Sequence, residues 1–505
     1  MKILPPESNV AVRYRPAAAG TAVLARADAV AYLLADRDPA AALAALPHAD
    51  LWRALHRSAR RAAKAPLLVT RLPNARHTLA AVGFLPDGAG AFERLELAGR
   101  IMREIVKPGV ARLQCHAAGF GAGDAAAVLE ALASAALAAA APMPERKSRP
   151  TPRADLRALD VHGGRQADLD RAVATAAGNH LARWLTALPP NELDCLAYRR
   201  ALAQLARREG WSFRFYDERA LRRLGAGAFL AVSRANEHRG AGIARLSYRP
   251  RGGGRHRRIG LMGKGICFDT GGINLKPHKS MYHMHGDMQG SAVAVGTLLA
   301  LARSGTALEV DCWLALTENQ IGARAYRPQE VVRAMNGVTI QVVHSDAEGR
   351  MVLADTLALA ARAKPALLLD FATLTGACVN ALTERYSGVF TNRPALQPAL
   401  QDAGRTSGER VWCFPMDADF DSELESPLAD VMQCTQDSKG DHILAARFLG
   451  RFVPDDLAWA HVDLSSSERK GGLAHVPTDF TGFGVRFATT LLGDEEFLAR
   501  TVRPG

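Results

Sequence analysis

The sequence predicts an α/β protein in two parts, a smaller N-terminal unit and a larger C-terminal one. Three observations carry this reading. Strand-like and helix-like segments alternate along most of the chain, the pattern of layered α/β folds. Residues 142–165 break that pattern with Pro-Met-Pro-Glu-Arg-Lys-Ser-Arg-Pro-Thr-Pro-Arg and a closing Gly163-Gly164, a linker composition, and one long helical pattern follows over Gln166–Leu188 until Pro189-Pro190 stops it. With 505 residues, each part is long enough for its own core. The expected boundaries are 1–141, then 142–190 for linker and connecting helix, then 191–505.

In the first part, Ala29–Asp36, Pro39–Leu46 and Leu51–Ala65 are rich in Ala, Leu and Arg and read as helices. Pro66–Thr70 and Thr78–Phe84 read as strands, Phe92–Val106 as an amphipathic helix and Ala111–Ala117 as a strand. Gly119-Phe-Gly-Ala-Gly-Asp124 then leads into a helix over Ala125–Ala141. Glycines before a helix can cradle a phosphate. Here no acidic residue is placed for a ribose, and Asp124 as N-cap would repel an anion, so a tight turn is the reading. The Ala-rich helix is short and carries Glu130, which places it inside the domain rather than in a membrane.

In the second part, Leu196–Glu209 reads as a helix, Ser212–Tyr216 as a strand and Glu218–Leu224 as a helix. Gly242–Tyr248 and Arg257–Met262 read as paired strands around the turn Pro250–Arg255. Ser291–Ala302 (helix), Leu308–Leu316 (strand), Pro328–Met335 (short helix), Val338–Val343 (strand), Met351–Ala363 (helix) and Leu367–Phe371 (strand) follow. Thr373–Ala377 turns into a further helix. Functional residues in such sheets collect where strands end.

Composition narrows the class. Hydrophobic residues make up 48% and charged residues 23%, ordinary for a soluble globular protein. The start, Met1–Glu7, lacks the apolar run of a secretory signal. The seven cysteines are scattered and never spaced Cys-x-x-Cys, which argues for a reducing cytoplasm and against a disulfide framework or structural zinc. Cys267 has no adjacent base and reads as a small buried apolar residue. The net charge of +12 is dispersed with few aromatics between the cations, so nucleic-acid binding by the basic linker (Arg146, Lys147, Arg149, Arg153) is the minor reading.

The chemistry is concentrated in two stretches. The first runs from Gly260 to Gly290 and contains Lys264, Asp269, Lys276 and Asp287; the second is His344-Ser345-Asp346-Ala347-Glu348-Gly349-Arg350. Asp269 precedes Gly271-Gly272, so the chain can turn closely around it. Asp346 and Glu348, two apart, face the same way on an extended segment. Converging carboxylates repel unless cations hold them, and a pair of divalent metals about 3.5–4 Å apart can share carboxylates and a water. A lysine beside two metals can lose its proton and become a nitrogen ligand. A second lysine left protonated can polarise a carbonyl. Arg350 offers a fork suited to bicarbonate or a carboxylate. The neighbouring Lys279 and the histidines His278, His283 and His285 read as surface groups. Gly263-Lys264-Gly265 lacks the upstream glycine and the following Ser/Thr of a Walker nucleotide site. A two-metal phosphoesterase uses similar carboxylates but has no use for the lysine pair at this spacing.

These stretches resemble the leucyl aminopeptidase (cytosol aminopeptidase) family of two-metal peptidases. The family signature Asn-Thr-Asp-Ala-Glu-Gly-Arg stands here as His344–Arg350, and Lys264, Asp269, Lys276 and Asp287 keep the family spacing. The likeness extends through Glu318-Asn319, Asn336-Gly337, Leu353-Ala354-Asp355, Thr373–Ala377 and Pro189-Pro190-Asn191, over roughly 180–490.

The resemblance implies a smaller N-terminal α/β domain joined by a linker helix to a larger C-terminal α/β catalytic domain with a mixed sheet flanked by helices. It implies an aminopeptidase that releases Leu-like or other apolar N-terminal residues with two Mn²⁺ or Zn²⁺ ions. One metal would sit on Asp269, Asp346 and Glu348, the other on Lys264, Asp269, Asp287 and Glu348. Lys276 would polarise the scissile carbonyl and Arg350 would hold a bicarbonate acting as base. Asp287 would also receive the substrate amine. Met284, Thr373 and Gly376 would line the first side-chain pocket, and Leu374 would lie beside the scissile bond. A cytoplasmic homohexamer acting on peptides, with no membrane role, is further implied. Thr270, Tyr282, His285, Gln289 and His344 depart from the family's usual residues, and His442 has no assigned role.

Overall fold

The computed structural model describes residues 3–16, 24–61, 67–251 and 257–501. Strands β1 (Ala11–Arg15), β2 (Ala29–Ala35), β3 (Leu68–Arg71), β4 (Leu79–Leu85), β5 (Arg112–Ala118) and β6 (Ala158–His162) form one sheet in the order β1-β6-β5-β2-β4-β3. Only β3, antiparallel to β4, runs against its neighbour.

In this first sheet two elements differ from expectation. Ala29–Ala35 is a strand, not a helix, and every residue of it is buried. A strand covered on both faces shows no alternation, so its Ala and Leu content mimics a helix; pairing with β4 and β5 on its two edges decides the matter. Ala158–His162, inside the stretch read as linker, is a strand between β1 and β5. The chain therefore returns to the first sheet after its proline-rich segment. The expected helix Leu51–Ala65 is described as Ala49–Arg61, and residues 62–66 lie outside the described residues.

Helix Ala122–Ala140 starts from an N-cap at Gly121, which leaves Asp124 in the first turn rather than at the cap. Among the described residues it is the one helix long and apolar enough to cross a membrane, yet it packs between helices Ala91–Ile105 and Gln166–Thr186. Gln166–Thr186 packs in turn on Gln289–Arg303, so the connecting helix touches both layers.

The remaining strands are β7 (Ser212–Asp217), β8 (Gly242–Tyr248), β9 (Arg258–Asp269), β10 (Glu309–Asn319), β11 (Val331–Arg333), β12 (Thr339–Gln341), β13 (Leu367–Ala372), β14 (Ser387–Thr391), β15 (Val411–Cys413), β16 (Val431–Met432) and β17 (Ala458–Asp463). Eight of them form a mixed sheet, β15-β14-β17-β13-β9-β10-β8-β7, and β11-β12-β16 a small second one. The expected pairing of β8 with β9 does not form: β10 lies between them, antiparallel to β8 and parallel to β9. Residues 252–256 of the turn lie outside the described residues. The short helix expected over Pro328–Met335 is instead β11, whose Val-Val-Arg pairs antiparallel with β12.

The four central strands β17, β13, β9 and β10 are parallel, so their carboxyl ends share one edge. That edge carries Asp463, Ala372, Asp269 and Asn319.

Candidate metal centre

Lys264 and Asp269 both come from β9, five residues apart. In a regular strand an odd separation puts two side chains on opposite faces. The β9–β10 register shifts between Ile266↔Thr317 and Asp269↔Asn319, so β9 advances three residues while β10 advances two. This bulge returns Asp269 to the face of Lys264. The chain then turns through Gly271 and Gly272, with φ of +86° and +67°. A Cβ on Gly271 would stand 2.9 Å from an Asp346 oxygen, so the turn needs glycine for space as well as for φ.

The turn brings Lys276 back over the site. Its Nζ lies 3.0 Å from Asp269 Oδ2 and 2.6 Å from Asp346 Oδ1. Lys264 Nζ lies 2.8 Å from Asp287, 2.9 Å from Glu348 Oε1 and 2.9 Å from the Thr373 carbonyl. A Cβ on Gly349 would meet the end of Lys264 at 2.7 Å. Asp346 and Glu348 are not on an extended segment. Asp346 sits in a turn and Glu348 opens the helix Glu348–Ala361, where the unpaired N–H groups favour an acid. Their oxygens nevertheless come within 4.8 Å of one another and of Asp269. Asp287 follows the 3₁₀ turn Met284–Gly286 and accepts a 2.7 Å hydrogen bond from Thr373 Oγ1.

Four carboxylates thus face two ammonium groups. Burial, together with repulsion from Asp269, holds Asp287, Asp346 and Glu348 above the usual carboxylate range despite the lysines. Burial acts to lower Lys264 and Lys276, but the surrounding carboxylates outweigh it and raise both. This donor set fits hard divalent cations: clustered carboxylate oxygens with too little positive charge of their own.

Several supporting residues carried no role in the sequence reading. Asn319 Nδ2 donates to Asp269 Oδ1 at 2.8 Å and to the Ser345 carbonyl at 3.0 Å. Tyr326 donates to that same carbonyl at 2.7 Å, and Ser345 Oγ donates to Gly271 at 2.6 Å. Asp463 accepts from Leu374 N, Thr375 N and Thr375 Oγ1, which fixes the loop after β13. The sequence signal for Asn319 was the family likeness through Glu318-Asn319; Asp463 carried none.

Lys264, Asp269, Lys276, Met284, Asp287, Asp346, Glu348, Arg350, Thr373, Leu374 and Gly376 all line one cavity of about 940 Å³. Arg350 lies in its wall with its guanidinium on Asp441. The histidines stay apart from the carboxylate cluster: His283 pairs with Glu468, His285 meets the Phe480 ring edge-on and His278 is exposed. His344 Nδ1 accepts from Asp346 N at 3.2 Å, and His442 packs edge-on to Phe414. Cys267 is buried with its sulfur 3.8 Å from that of Cys195. Three of the four linker cations are paired locally, Arg146 with Glu192 and Lys147 and Arg153 with Glu145.

Residues 180–489 match the cytosol aminopeptidase family, catalytic domain. A probable cytosol aminopeptidase of Parasynechococcus marenigrum is 37% identical over 429 residues, 83% of this chain and 87% of the relative. One of Afipia carboxidovorans is 38% identical over 335 residues, 66% of each chain. Among solved structures, the bottromycin maturation enzyme BotP in complex with Mn matches with a TM-score of 0.81 at 31% identity, covering 92% of this chain and 99% of that one. A tomato leucine aminopeptidase mutant shares the fold, with a TM-score of 0.84 at 24% identity over 97% of this chain and 98% of that one. The chain belongs to the cytosol aminopeptidase family and is a metal-dependent, leucyl aminopeptidase-type hydrolase of peptide bonds.

Proposed function

We propose that this enzyme releases a Leu-like or other apolar N-terminal residue from peptides at a centre of two divalent ions, Mn²⁺ or Zn²⁺. The observation that carries this reading is the convergence of Asp269, Asp346 and Glu348, with Lys264 joining Glu348 to Asp287. One ion would be held by Asp269, Asp346 and Glu348, the other by Lys264, Asp269, Asp287 and Glu348. When bound, such ions polarise a carbonyl and lower the pKa of a shared water. Lys264 carries a proton in its carboxylate cage and would release it as a dication arrives.

The residues of the chain divide the remaining work. Lys276, kept protonated by Asp269 and Asp346, donates to the scissile carbonyl oxygen and stabilises the developing oxyanion. Asp287, oriented by Thr373, receives the substrate's free amine and so limits cleavage to the first residue. Met284, Thr373 and Gly376 shape the pocket for that residue, and Leu374, on the loop pinned by Asp463, lies beside the scissile bond. The names of the relatives support a cytoplasmic site of action. A homohexamer with active sites facing an inner cavity accords with the family resemblance.

The test is hydrolysis of leucine amide and leucyl peptides by enzyme loaded with Mn²⁺ or Zn²⁺, with bound metal counted on the same preparation. Turnover with two ions per chain is the expected result. No turnover by fully loaded enzyme, or full activity with one ion per chain, overturns the reading.

A further inference from the structure

Arg350 is buried at 2% exposure in the cavity wall, and its charge is already met from within the chain. Its Nη2 donates to both oxygens of Asp441, each at 2.8 Å, and its Nη1 donates to the Gln433 carbonyl at 3.1 Å. Asp441 lines the same cavity and opens the helix Asp441–Gly450. A guanidinium grips an oxyanion through two parallel N–H bonds, and both edges that offer such a pair include Nη2. Asp441 has taken that nitrogen. Nε has no partner among the described residues, and one donor does not make a bidentate site. Bicarbonate, the oxyanion that the resemblance assigns to Arg350, does not fit beside Asp441.

We infer that Asp441 is this chain's built-in oxyanion at Arg350, so that peptide hydrolysis needs no bicarbonate. The inference rests on the metallopeptidase reading above. The Asp441 carboxylate takes the proton freed when the O–H bond of the attacking water breaks. It passes that proton to the leaving amine nitrogen as the C–N bond breaks, and ends unprotonated as it began. Burial fits this role, because a guanidinium so enclosed is stable only with a fixed counter-charge.

The experiment compares metal-loaded wild type, Asp441→Gly and Asp441→Asn in CO₂-depleted buffer with and without added bicarbonate. Leucine amide hydrolysis is read at equal metal content, and binding is read separately by ¹³C-bicarbonate NMR line broadening on Zn²⁺-loaded protein. Wild type is expected to bind no bicarbonate and to change rate by less than about two-fold. Asp441→Gly should bind it, lose about 10²-fold in kcat/KM without it and regain at least about ten-fold with it. Asp441→Asn, which keeps the shape without the charge, should stay slow and folded. Bicarbonate binding or marked stimulation in wild type overturns the inference. So does a wild-type rate in Asp441→Asn, or a folded, metal-loaded Asp441→Gly that bicarbonate neither binds nor restores. If loaded wild type hydrolyses no peptide, the proposed function fails, and bicarbonate binding to wild type against Asp441→Gly still decides the occupant of Arg350.

Discussion

Buried acids occur in two settings in this molecule. In the cavity, Asp269, Asp287, Glu348 and the half-buried Asp346 converge and pair with Lys264 and Lys276. Elsewhere, Asp355 and Glu409 are equally enclosed but each faces backbone N–H groups. Asp355 accepts from Phe229 N at 2.8 Å and Met335 N at 2.6 Å; Glu409 accepts from Gly484 N at 2.8 Å and Phe487 N at 2.7 Å. The second pair serves the fold: each acid satisfies donors that would otherwise be orphaned at a helix start. The first set accepts one backbone N–H, from Gly271 to Asp269, yet its carboxylates lie against one another and repel, an arrangement suited to binding cations. Burial alone therefore does not mark a functional acid; the partners do.

The contrast is broken most directly at Glu348. Glu348→Gln should lower kcat/KM on leucine amide by about 10³-fold and reduce bound metal, while metal-free protein melts no earlier than wild type because a poorly compensated buried charge is gone. A large loss of stability with metal binding intact would place Glu348 with the structural acids. Asp355→Ala should do the reverse. Two buried N–H groups lose their acceptor, so unfolding free energy should fall by about 3 kcal/mol, with the kcat/KM of the folded protein unchanged. Urea denaturation with kinetics on the same sample checks it, and a selective loss of activity would contradict the assignment.

The smallest effect is one of pH. Burial raises Glu409 from 4.5 to about 7, with its backbone hydrogen bonds opposing the shift. The folded state then binds the extra proton between those values, so this group's contribution to stability is lost as pH rises from about 4.5 to 7 and is level above. Between pH 5 and 7, wild type should lose about 2 kcal/mol more stability than Glu409→Gln, read from urea midpoints. Parallel pH profiles for the two proteins would mean that Glu409 is ionised in the fold.

Much of this was legible from the chain. Gln166–Thr186, Cys195–Glu209 and Glu218–Leu224 were read nearly to the residue because their caps and stops, Pro189-Pro190 and the left-handed glycines Gly210 and Gly225, are local signals. The strands that failed are non-local. Ala29–Ala35 is apolar throughout and becomes a strand only because β4 and β5 bond its two edges. The separation of β8 from β9 follows from β10, which arrives some forty residues later. In the site, the residue types were visible, but the roles of Asn319, Tyr326, Asp441 and Asp463 were not, since each acts through a partner distant in sequence.

The sequence by itself supplied the chemical groups: two lysines, four carboxylates and Arg350, at spacings that resemble those of the leucyl aminopeptidase family. Donor type is a property of the residue and survives any fold that gathers it. The tertiary structure decided what those groups do to one another. A bulge of one residue in β9 puts Lys264 and Asp269 on one face, a helix start rather than an extended segment presents Glu348, and Asp441 closes on Arg350 across ninety-one residues. Register, face and ion-pair partner all depend on chain segments far apart, and no local pattern encodes them.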